Sequence, residues 1–137
     1  MRLILAAAVA TSFAYTGYVN ACPGSKKAKA ELASITVDKA AKLVKTGKVI
    51  MVDANSAETR KAQGIVPGAR LLTSYRDFKT SELRAKKGDT LVFYCHSEKC
   101  GAAPSAARAA QARGFKTMVM HAGIMGWKKA GHAVARI

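Results

Sequence analysis

The apolar run Leu91-Val92-Phe93-Tyr94 stops at Cys95, and a short loop leads from there into an alanine-rich stretch. An apolar run of this kind reads as a strand buried on both faces, and the alanines as a helix lying against it. A strand that feeds a helix through a tight loop commits the chain to a βα unit, and so to a parallel sheet. It also sets a thiol at a strand end and at the mouth of a helix. Backbone N–H groups and the helix dipole both favour an anion there, so Cys95 is expected to ionise easily.

The flanking sequence repeats the alternation. Thr36 is a plausible N-cap for a helix over Val37–Thr46, with Val37, Ala40, Ala41 and Val44 on one face and Gly47 ending it. Val49–Val52 reads as a second buried strand, Ser56-Ala57-Glu58 as the start of a short helix that stops at Gly64. Pro67-Gly68 marks a turn, Ala69–Leu72 a short strand, and Tyr75–Phe78 with Glu82-Leu83 a helical region. After the strand Thr90–Tyr94 come a helix over Ala102–Arg113, capped by Gly114, and a strand over Phe115–Met120. The class is α/β with a mainly parallel sheet, whose ligands gather at the carboxyl ends of strands.

The 137 residues allow one folded domain. Lys and Arg exceed Asp and Glu by 23 to 8, a net charge of +15. The cations are scattered and no aromatic platform interleaves with them, which argues against a nucleic-acid partner. They read as a solvated surface that concentrates small anions.

Residues 1–21 have the form of a signal peptide: Arg2, an apolar stretch from Leu3, and Val19-Asn20-Ala21 ahead of Cys22. Thr11, Ser12, Thr16 and Gly17 interrupt the apolar stretch, against a permanent span. Export to the periplasm is expected. Cys22 fits either lipidation, as in a membrane-anchored lipoprotein, or an idle thiol after ordinary cleavage. Residues 22–34 read as a flexible basic tether and 35–137 as the folded domain, expected to be a monomer.

Four motifs in order carry a family resemblance: Val52-Asp53; Gly64-x-Val66-Pro67-Gly68-Ala69; Val92-Phe93-Tyr94-Cys95; and Gly123-x-x-Gly126-Trp127-x-x-Ala130-Gly131. Over about Ile35 to Val134 the chain resembles a rhodanese-like sulfurtransferase domain. The resemblance implies a three-layer α/β sandwich around a five-stranded, mainly parallel sheet. It also implies a persulfide on Cys95, held by amides of a loop made of His96, Ser97, Glu98, Lys99, Cys100 and Gly101. Two departures stand out: Ile65 where many members have His, and Ala54-Asn55 where they have an Arg. Lys99 is left as the loop cation, and a lysine is a point charge that cannot grip thiosulfate through two parallel hydrogen bonds.

The expected chemistry is two-step covalent transfer. The Cys95 thiolate takes a sulfane sulfur from thiosulfate or a polysulfide, and a thiol, cyanide or a sulfur-accepting protein removes it. Cys100 reads either as a resolving thiol for Cys95 or as a small residue filling the loop. Two alternatives follow: an exported thiol–disulfide protein using Cys95 and Cys100, or a sulfur-carrying or sensing module without turnover. No cofactor is implied. A zinc site from Cys95, His96, Cys100 and His121 is disfavoured by spacing, so no metal is expected. A phosphatase reading lacks its Arg, because Gly101 stands six residues after Cys95.

Overall fold

The computed structural model describes residues 31–137; the signal-peptide assignment, Cys22 and most of the tether lie outside them. Five strands form one sheet in the order β1-β5-β4-β2-β3, every pairing parallel. They are β1 (Ala33–Ser34), β2 (Ile50–Asp53), β3 (Arg70–Leu71), β4 (Thr90–Tyr94) and β5 (Lys116–Val119). Four helices accompany them: α1 (Val37–Lys45), α2 (Ala57–Gln63), α3 (Ala102–Ala112) and α4 (Gly123–Lys129).

Two of the helices, α1 and α2, begin at a side-chain cap. The Thr36 hydroxyl accepts from Lys39 N at 3.4 Å, and the Ser56 hydroxyl from Thr59 N at 3.3 Å, each relieving one orphan donor. α3 holds Pro104 in its first turn, where a missing N–H costs no helical bond. Alternation along β4 sorts the core into two layers. Leu91 and Phe93 pack with the alanines Ala103, Ala106, Ala107 and Ala110 of α3. Val92 and Tyr94 pack on the other face with Ala40 and Ala41 of α1 and Ile124 and Trp127 of α4. The result is the expected three-layer sandwich.

Three details differ from the sequence expectation. The sheet starts at Ala33, inside the last residues assigned to the tether. Residues 75–77 form turns rather than a helix, and only Thr80–Leu83 is helical, as a single 3₁₀ turn. Gly123–Lys129, which has little periodicity of its own, closes into a short helix.

The chain leaves β2 toward β3 on one side and β4 toward β5 on the other. The carboxyl ends of β2 and β4 therefore border a topological switch point, where open parallel sheets form their crevice.

Candidate active site

Cys95 follows β4 directly and is only 2 % exposed. The loop after it turns back tightly, with Cys100 N donating to Ser97 O at 3.0 Å. α4 holds this loop from behind: Ile124 N donates to Cys95 O at 2.8 Å and Met125 N to His96 O at 3.1 Å. Gly123 makes that approach possible. Its φ is +63°, and a Cβ there would meet Cys95 O, His96 C and His96 O at 2.6 Å each.

The backbone amides of the loop and of the first residues of α3 favour negative charge at the two sulfurs, His96 and Ala103 at Cys95, and Ala102, His96 and Ala103 at Cys100. The Cys95 thiol donates to Cys100 O at 3.3 Å. Both cysteines are free thiols.

Easy ionisation of Cys95 does not survive this arrangement. Burial pushes its thiol up to about 12, the hydrogen bond to Cys100 reinforces the rise, and the two amides offset it only partly. Burial opposes ionisation of Cys100 too, but the hydrogen bond from Cys95 and three amides outweigh it, and its thiol lies below the ordinary value. Of the two sulfurs, the less buried one is thus the easier to ionise.

The remaining loop residues split between two sides. His96 and Cys100 border a cavity of about 360 Å³. Its other walls are Asn55 and Ser56, after β2, and Thr73 and Tyr75, after β3. No Lys or Arg lines it among the described residues; Arg76 instead stacks over the Tyr75 ring at 5.0 Å. Ser97, Glu98 and Lys99 border a separate cleft of about 690 Å³ beside α4, with Lys128 and Lys129. Gly101 meets neither. His121 is exposed, and among the described residues no three His, Cys, Asp or Glu groups cluster as metal ligands.

Arg60 is the residue that sequence reasoning missed. It is buried beside the fully buried Asp53, with Nε 3.1 Å from Oδ1, and its Nη2 donates to Asp53 O and Leu72 O. Asn55 N donates to the same Asp53 oxygen at 2.7 Å. The pair locks α2 to the ends of β2 and β3 and fixes the wall that presents Asn55. Its spacing offered a signal: Ser56 caps α2, and Arg60 lies one turn later on that helix. Tyr94 adds a second tie, its hydroxyl accepting from Val66 N at 3.0 Å. Burial, reinforced by the Asp53 charge, keeps that phenol protonated.

A buried cysteine after β4, beside the switch point of a parallel sheet, places this chain among α/β proteins with a thiol at the crevice where such sheets gather ligands. The rhodanese-like domain family model matches residues 36–130, and the chain belongs to that family. Among solved structures, it is similar to a Bacillus halodurans protein, at 23% identity and TM-score 0.67 over 76% of this chain and 77% of that one. A rhodanese-like domain protein from Staphylococcus aureus is 19% identical, with TM-score 0.61 over 76% and 99% of the two chains. A Rhodopseudomonas palustris protein of unknown function, described as a possible tyrosine phosphatase, is 25% identical, with TM-score 0.60 over 76% and 85%. No curated protein matches the chain.

Proposed function

We propose that this member of the sulfurtransferase family carries a sulfane sulfur as a persulfide on Cys95 and passes it to a thiol acceptor. The observation behind this reading is a buried cysteine at the end of β4 whose following loop curls back on itself and is pinned by Ile124 N on Cys95 O and Met125 N on His96 O. A persulfide extends the side chain by about 2 Å of S–S bond, and its terminal charge needs donors that cost no reorganisation. The phosphatase description of the R. palustris protein does not extend to this chain. A phosphate dianion calls for a forked cation, and the loop offers Lys99 alone, turned to the other cleft.

The leader-like first 21 residues support export, with the periplasm as the working compartment and Cys22 as a candidate lipid anchor. The nearness of the two free cysteines, with the Cys95 thiol 3.3 Å from Cys100 O, also supports a second reading, a redox pair that closes to a disulfide.

The test loads the reduced protein with a polysulfide and locates the added sulfur by peptide mass. One sulfur on Cys95 that cyanide releases as thiocyanate, with turnover lost in Cys95→Ser, is the expected result. A wild-type protein that leaves Cys95 unmodified and only forms a Cys95–Cys100 disulfide sinks the proposal in favour of redox chemistry.

A further inference from the structure

We propose, building on the Cys95 persulfide reading, that Cys100 is the first nucleophile, accepting sulfur from a small thiol persulfide seated in the cavity beside it and handing that sulfur inward to Cys95.

Three observations lead there. Cys95 is 2 % exposed and does not border the cavity, whereas Cys100 is half-buried and forms part of its wall. The Cys95 thiol donates to Cys100 O at 3.3 Å, which sets the two cysteines side by side at the inner end of the loop. The walls supply Asn55, Ser56, Thr73, Tyr75 and His96 but no Lys or Arg among the described residues. Such a chamber, without a forked or permanently charged cation, suits a donor that leaves as a thiol. It suits poorly thiosulfate, which leaves as a sulfite dianion and needs a cation to hold the departing charge. The basic residues Lys99, Lys128 and Lys129 border the other cleft and do not compensate. The lowered Cys100 thiol and the raised Cys95 thiol agree with this order of events.

The bonds balance without an outside oxidant. The Cys100 thiolate attacks the terminal sulfur of the donor persulfide; the donor S–S bond breaks, and the donor thiolate leaves. Solvent in the open cavity protonates that thiolate. The Cys95 sulfur then attacks the terminal sulfur now on Cys100 and gives up its own proton to solvent as the bond forms, leaving the Cys95 persulfide and regenerating the Cys100 thiolate. The net change is donor persulfide plus Cys95 thiol giving donor thiol plus Cys95 persulfide.

The experiment uses the full-length chain in a Cys22→Ser background, so that only the two loop thiols report. Rapid-quench peptide mapping follows loading from glutathione persulfide and, separately, from thiosulfate. In Cys95→Ser, one sulfur should accumulate on Cys100. In Cys100→Ser, loading of Cys95 should slow roughly tenfold, since the more buried thiol must attack directly. The parent protein should load more slowly from thiosulfate than from the persulfide by about tenfold. A Cys95→Ser protein that takes up no sulfur overturns the relay, as does a Cys100→Ser protein that loads at the parent rate. In both cases a Cys95 persulfide in the parent leaves the sulfurtransferase reading standing. Equal loading from thiosulfate overturns the donor assignment. A parent protein that takes up no sulfur from either donor overturns both readings together.

Discussion

At the scale of single residues, the two loop sulfurs are chemically unequal although five positions separate them in one loop. Both meet backbone amides, yet only Cys100 is close enough to solvent for those amides to prevail over burial. A lowered thiol keeps more of its anion at any pH beneath its ordinary value, and a raised one keeps less. Alkylation by iodoacetamide at neutral pH, mapped by peptide mass, should therefore modify Cys100 first. Cys95 should lag and catch up only as the pH climbs well past the usual thiol range. Equal rates at neutral pH would remove the asymmetry. The position of Cys95 at a strand end was readable from Leu91–Tyr94 and the alanines that follow. Its protonation was not, because that depends on how deeply β4 and α3 bury the sulfur and on a neighbour whose role spacing left open.

At the scale of elements, the loop is held from two directions. α3 supplies amides to the sulfurs, and α4 supplies amides to the carbonyls of Cys95 and His96. Gly123 is where the second grip is most exposed to mutation. An alanine there would adopt a left-handed φ at a cost of about 1–2 kcal/mol, and its Cβ would push against the loop backbone. Gly123→Ala should thus lower the urea midpoint and, by shifting the loop, reduce sulfur loading on Cys95. A variant with wild-type loading would show that the α4 contact does not set the cradle. α1 and α2 were legible because Thr36 and Ser56 are local capping signals, and α3 because its alanines and Gly114 bound it. β1 was not, since two residues carry no period and exist as a strand only by pairing with β5. The Arg60–Asp53 lock was likewise hidden, being a contact across seven residues that forms only when α2 folds back over the sheet.

At the scale of the whole molecule, the last residues act as a strap. Ile65 and Ala135 exchange two backbone hydrogen bonds of 2.9 Å, and Trp127 Nε1 donates to Ala133 O at the same distance. Gly64, at φ +77°, admits this segment, since a Cβ there would lie 2.9 Å from Ala135 O. Ending the chain after Gly131 would remove all three bonds, a loss of about 3 kcal/mol at about 1 kcal/mol each. The single Trp should then report the change as red-shifted emission and a lower unfolding midpoint. Unchanged emission and stability would mean the strap is ornamental.

The cavity beside Cys100 has a wall made by three separate stretches of chain: residues 54–59, residues 73–75, and the cysteine loop with the first residue of α3. The first two contribute no amide to the sulfurs. Two of the three stretches can therefore change without touching the cysteine loop, so under the proposed relay an exchange of these two for the matching segments of a relative should alter donor preference and leave the loop in place.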